Sequence, residues 1–167
     1  MARIKKNKAK KINPKFLVFD VDGVFTTGPF LYTVNGKFAK TFGPHDNDGI
    51  KMIKNKIKIC AISADKRGFE ITKKRIQEDM KIPLILVNEK ERLDWFKNNF
   101  KNLKEEVIYM GDGIHDAEIF EYVCYSIAPN NAFYLAKNKA SYVTNAKSGE
   151  GAVAEACIHV LKIFLSI

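Results

Sequence analysis

The sequence predicts an α/β fold: a Rossmann-like three-layer sandwich with a central parallel sheet, a small β-hairpin insertion after the first strand and no separate cap domain. Three observations carry that prediction. Short apolar runs rich in β-branched and aromatic residues occur at 16–19, 58–62, 83–87, 107–110 and 125–128. Longer helical patterns fill the intervals, the alternation expected of parallel strands joined by crossover helices. One interruption, at 29–42, places Asn35-Gly36 between strand-like residues, a strong local signal for a tight hairpin.

Taken in order, residues 1–13 form a basic tail and 14–167 a single domain. Residues 1–15 hold seven Lys or Arg and no acid, leaving 21 bases against 19 acids in the remainder. The formal charge of +9 is therefore a property of the terminus, and a solvated arm is expected there. Without a basic stripe or interleaved aromatics elsewhere, no nucleic-acid partner is expected. FLVF (16–19) is apolar on both faces and starts the sheet. The hairpin comes next and would overhang whatever the end of that strand binds. A helix over 48–56, the strand KICAI (58–62), a helix over 67–80 and the strand PLILV (83–87) follow. A helix over 90–100, the strand VIYM (107–110), a helix over 115–123 and the strand YSIA (125–128) continue the alternation. An amphipathic helix over 150–166 closes it. Short connections leave no room for a lid domain.

Composition narrows the class. Apolar content of 46% with 28% charged residues is ordinary for a globular domain. No run approaches the roughly 18 apolar residues of a membrane helix, and no apolar stretch follows the basic start as in a secretory signal. Cys60, Cys124 and Cys157 are dispersed and sit in apolar contexts, which suits reduced thiols in a cytoplasmic setting.

The chemistry gathers where strands end. The first strand runs into Asp20-Val21-Asp22-Gly23, two carboxylates that repel unless a cation lies between them or one holds a proton. The second ends at Ser63, and the fourth in Gly111-Asp112-Gly113-Ile114-His115-Asp116. Lys90 and Arg92 lie shortly after the third. In an open α/β sheet ligands bind beyond the carboxyl ends of the strands, so parallel strands bring these groups together. Clustered carboxylates suit Mg²⁺, a hard ion with oxygen ligands. A hydroxyl, a base and free backbone N–H groups suit phosphate oxygens. Phosphoryl transfer is the implied chemistry, one aspartate attacking phosphorus and the other handling the proton.

D-x-D-G at a strand end, then a strand-end Ser, a base and G-D-x-x-x-D, resembles the haloacid dehalogenase superfamily of phosphatases over about residues 14–165. The resemblance implies Asp20 as nucleophile and Asp22 as general acid/base. It implies Ser63, Arg92 or Lys90, Gly23 and Ala64 as phosphate-binding positions. Mg²⁺ would be held by Asp20, the Asp22 carbonyl and Asp112, with Asp116 a further ligand or a carboxylate supporting one. FDVDGVFTTG, the hairpin, FGPHDNDGIK (42–51), RLDWF (92–96) and SGEGAV (148–153) are similar to a capless branch. That branch acts on phosphorylated 8- or 9-carbon sugar acids, including 3-deoxy-D-manno-octulosonate (KDO) 8-phosphate and N-acylneuraminate 9-phosphate. It implies a homotetramer whose hairpins and neighbouring subunits close each site, with no membrane partner. It also implies His45, Asp46, Lys51 and Arg75 near the sugar acid.

The chain departs from the branch at Ser63-Ala64-Asp65-Lys66-Arg67 after the second strand, at His45, and at Gly113 in the last motif. Plainer readings stand beside these. Ser63 or Asp46 would cap a following helix, and Lys51 and Arg75 would be solvated helical charges. A phospho-receiver domain would also gather carboxylates, but its acceptor Asp follows the third strand, where this chain has Val87-Asn88. A non-catalytic scaffold would have no need of Asp20, Asp22 and Asp112 together.

Overall fold

A computed structural model describes residues 12–165. The basic tail lies outside the described residues except for Ile12 and Asn13. Strand β1 (Phe16–Asp20) leads into a hairpin of β2 (Thr26–Thr33) and β3 (Gly36–Phe42), then α1 (Asp46–Ile53) and β4 (Lys58–Ser63). Next come α2 (Phe69–Lys73), continued by a π-helical turn Lys74–Asp79, then β5 (Leu84–Leu86). A 3₁₀ turn, Glu89–Glu91, opens α3 (Arg92–Asn99), followed by α4 (Leu103–Glu106), β6 (Val107–Met110) and α5 (Ile114–Ile119). The chain finishes with β7 (Tyr125–Ala128), α6 (Tyr134–Lys139), β8 (Tyr142–Val143) and α7 (Ala152–Phe164).

Six strands form one sheet in the order β5-β4-β1-β6-β7-β8, with every pairing parallel. The strand β1 is central because it can bury both faces: Leu17, Val18 and Phe19 are fully buried. Alternation then divides the core in two. Leu17 and Phe19, with Ile108 and Met110 of β6, pack under α1 and α7. Val18, with Val107 and Tyr109, packs under α3 and α5 against Phe96, Ile119 and Phe120.

All five expected strands and the hairpin form. The short α4, α6 and β8 were not expected, because runs of two to six residues carry too little periodicity. The expected helix over 67–80 starts two residues later and widens into the π turn, where the Met80 N–H reaches the Arg75 carbonyl. No helix among the described residues is long and apolar enough to cross a membrane.

Candidate active site

The centre of the site is the carboxyl end of β1. Strand parity turns Asp20 toward the α3 face with Val18, and the carboxylate is buried there. Its Oδ1 accepts from the Val21 N–H at 2.8 Å and from Arg92 Nη2 at 3.2 Å. Arg92 stands at the start of α3, buried, and its Nη1 also lies 2.6 Å from Asp116 Oδ1. Tyr109, inward-facing on β6, donates its hydroxyl to that same Oδ1 at 2.5 Å. The other Asp116 oxygen accepts the Asp112 and Gly113 N–H groups at 3.0 and 2.8 Å. Asp116 thus has both oxygens engaged by four donors. It braces Arg92 and the loop after β6 rather than standing free.

The loop after β6 brings Asp112 against the loop after β1. Gly23 permits this. A Cβ built at Gly23 would fall 1.9 Å from Asp112 Oδ2, and its φ of +80° is one that side chains disfavour. Oxygens of Asp20, Asp112 and Asp116 lie within 4.8 Å of one another. Three carboxylates against one guanidinium leave an excess of two negative charges, which a divalent cation would neutralise. The strain shows in the protonation equilibria. Burial, opposed by Arg92 and reinforced by Asp116, pushes Asp20 up to about 7. Burial and the neighbouring Asp20 and Asp116 push Asp112 up to about 8. The donor set, all hard oxygen, therefore fits a divalent metal.

Asp22 faces different neighbours. Its Oδ2 accepts from Lys40 Nζ at 2.9 Å and lies 3.5 Å from Ser63 Oγ. Ser63, at the end of β4, is itself fully buried and accepts the Asp65 N–H at 3.2 Å. Hairpin residues Phe30, Tyr32 and Lys37 overhang a cavity of about 740 Å³ whose floor is Asp20, Asp22, Arg92, Asp112 and Asp116. Ala64, Lys66 and Arg67 line one side, and Ile114, His115 and Phe133 the other.

Sequence-derived expectations meet this geometry unevenly. Asp20, Asp22, Ser63, Ala64, Gly23, Arg92, Asp112 and Asp116 are gathered at one end of the sheet. Of the two candidate bases, Arg92 enters the site, whereas Lys90 is exposed on the 3₁₀ turn and does not line the cavity. Within one chain His45, Asp46, Lys51 and Arg75 lie outside the cavity. His45 is exposed and Lys51 pairs with Asp48. Arg75 donates to the Gly43 carbonyl. Asp46 is buried and accepts the Ala154 N–H of α7 at 3.3 Å, capping that helix from outside because its own N-cap, Gly151, has no side chain.

Three participants were missed. Tyr109 reads as a core strand residue, although a buried tyrosine needs a partner for its hydroxyl. Nothing in the sequence sets Lys37 and Lys40 apart from other hairpin residues, yet both reach Asp65 (2.5 and 2.7 Å). Burial alone would raise Asp65, but Lys37 and Lys40 outweigh it and hold the carboxyl below its ordinary range.

Comparison with known proteins bears on the family and the fold. A family model described as haloacid dehalogenase-like hydrolase matches residues 3–157. The KDO 8-phosphate phosphatase of Escherichia coli strain K12 is 32% identical over 158 residues, covering 89% of this chain and 80% of that protein. The cobalt-bound form of the Haemophilus influenzae phosphatase for the same ester is 30% identical. It superposes with a TM-score of 0.77 over 90% of this chain and 89% of that one. The Moraxella catarrhalis KDO 8-phosphate phosphatase, solved with a magnesium ion, a phosphate ion and KDO, shares the fold at 22% identity. Its TM-score is 0.77 over 91% and 88% of the two chains.

Proposed function

This chain belongs to the haloacid dehalogenase-like hydrolase family, and we propose that it is a Mg²⁺-dependent phosphatase releasing phosphate from KDO 8-phosphate or a closely similar sugar acid. One observation carries the reading. Two carboxylates two residues apart occupy opposite environments, Asp20 in the Arg92–Asp112–Asp116 cluster and Asp22 against Lys40.

That division gives each a task. Asp20 attacks phosphorus as the ester P–O bond breaks, forming an aspartyl phosphate. Asp22 hands its proton to the departing sugar oxygen. It then takes a proton from the water that attacks the aspartyl phosphate, and inorganic phosphate leaves. Ser63 and the backbone at Ala64 bind phosphoryl oxygens and Arg92 fixes the attacking carboxylate, whereas the Gly23 N–H is given to Thr26 Oγ1 at 3.1 Å. Mg²⁺, held by Asp20, the Asp22 carbonyl and Asp112, supplies positive charge against the phosphoryl oxygens when bound.

The cavity is of a size for one sugar phosphate. Lys66 and Arg67, exposed at its side, suit the carboxylate of a sugar acid. The hairpin presents Leu31, Tyr32, Val34 and Phe38 outward, an apolar surface that a homotetramer would cover. His45, Asp46, Lys51 and Arg75, remote within one chain, belong to the sugar-acid end of the site only in such an assembly. Three unpaired cysteines suit a cytoplasmic enzyme.

The test is phosphate release from a panel of phosphorylated sugar acids and ordinary sugar phosphates, with and without EDTA. KDO 8-phosphate should be turned over best and only with the metal. Preference for a 9-carbon acid would move the substrate, and no metal-dependent release from any ester would refute the reading.

A further inference from the structure

We propose that Lys40, on the second hairpin strand, is the positioning residue for Asp22. It holds the Asp22 carboxylate from one side, with both oxygens at 2.9 Å, and so fixes where that group exchanges a proton with the leaving oxygen. The inference rests on the phosphatase reading above and deepens it.

The Lys40 side chain has no solvent exposure, unusual for a hairpin lysine that could as easily point outward. Its Nζ lies 2.9 Å from each Asp22 oxygen, 2.7 Å from Thr72 Oγ1 and 2.7 Å from Asp65 Oδ2. Three side chains thus surround the three N–H groups of the ammonium, which leaves none to bind substrate. The partners come from three places: the loop after β1, the loop after β4, and α2. Burying an ammonium without partners costs several kcal/mol, so this lysine stays inside only while all three hold.

Lys37 reinforces the arrangement. It pairs with Asp65 at 2.5 Å and stands 3.5 Å from the centroid of the Phe30 ring. Both lysine stems pack on Gly68, where a Cβ would fall 2.7 Å from Lys37 Cδ and 2.8 Å from Lys40 Cε. The Gly68 N–H in turn donates to Asp65 Oδ1 at 3.1 Å. Hairpin, Asp65 loop and Asp22 are thereby one interlocked unit.

The consequence falls on Asp22. Its Oδ2 is taken by Lys40 with Ser63 Oγ nearby. Its Oδ1 lies 2.9 Å from the same ammonium but has no hydrogen-bond partner among the described residues. The carboxylate is thus held against Lys40 by both oxygens, on the side away from the Asp20–Asp112–Asp116 cluster. In the first half-reaction the Asp22 carboxyl delivers its proton to the sugar alkoxide as the P–O bond breaks. In the second the carboxylate accepts a proton from the attacking water.

A role in proton delivery makes the damage depend on the leaving group. A sugar alkoxide must be protonated as it departs, whereas 2,4-dinitrophenolate leaves without a proton. With Mg²⁺ present, Lys40→Met should lower kcat for KDO 8-phosphate about 100-fold or more, and kcat for 2,4-dinitrophenyl phosphate less than about tenfold. Lys40→Arg should recover part of the difference. Thr72→Val, which removes one partner and leaves the charge, should show the same selectivity at smaller amplitude, and serves if Lys40→Met does not fold. Equal losses on both esters, or no loss on either, would overturn the role of Lys40 while leaving the phosphatase reading intact. Absence of turnover of both esters by the unaltered enzyme would overturn that reading, and this inference with it.

Discussion

Asp20 and Asp112 share a small volume with Asp116 and one guanidinium, and their protonation follows from that crowding. Both folded-state values, about 7 and about 8, lie above the ordinary 3.8, so the metal-free fold binds protons that the unfolded chain releases. Its stability should therefore decline as pH rises from about 4 and level off above about 8. Saturating Mg²⁺ should offset the decline, and its affinity should rise over the same interval as protons cease to compete. Thermal melts across pH with and without the metal check both signs. Gly23→Ala should abolish metal-dependent turnover, by at least about 100-fold, because the new methyl meets the Asp112 carboxylate. Asp20, Asp22 and Asp112 were legible in the sequence because they lie at or two residues past the end of an apolar run, Asp22 and Asp112 beside a glycine. Arg92 could not be told from Lys90 by spacing, since the 3₁₀ turn that rotates one inward and the other outward has no signature of its own. Lys40 and Tyr109 were not legible, because their meaning lies in partners that only the folded chain supplies.

Among the elements, α7 and the hairpin show how position decides role. The carboxylate of Asp46 closes the N-terminal end of α7 from across the fold, and burial raises its pKa against the Ala154 and Val153 N–H bonds. Asp46→Ala should cost about 1 kcal/mol of unfolding free energy, as the loss of a cap does. Denaturant unfolding reads the cost. A raised KM for the sugar acid with unchanged stability would instead make Asp46 a substrate contact. Strand existence was legible for all but the two-residue β8, because parallel strands buried on both faces read as continuous apolar runs. Helix limits were less so: the π turn after α2 and the short α4 and α6 depend on tertiary packing, which periodicity does not report.

For the whole molecule, the parallel sheet and the placement of the site at its carboxyl end followed from alternation, whereas the strand order and any assembly did not. The hairpin's outward residues, Val34 and Phe38 among them, are apolar without a covering surface in one chain. For the homotetramer proposed above, Val34→Glu with Phe38→Glu should shift the mass measured by light scattering toward the monomer, and should lower turnover of the sugar acid more than that of a small aryl phosphate. In the proposed mechanism Asp20 takes the phosphoryl group in a site served by Asp22, Asp112 and Arg92. Single-turnover reaction with KDO 8-phosphate and Mg²⁺, quenched in acid and read by peptide mass spectrometry, tests it most directly. A transient phosphoryl group should appear on Asp20 and be absent from Asp20→Asn. Phosphate release that proceeds in Asp20→Asn, or label on another residue, would contradict it.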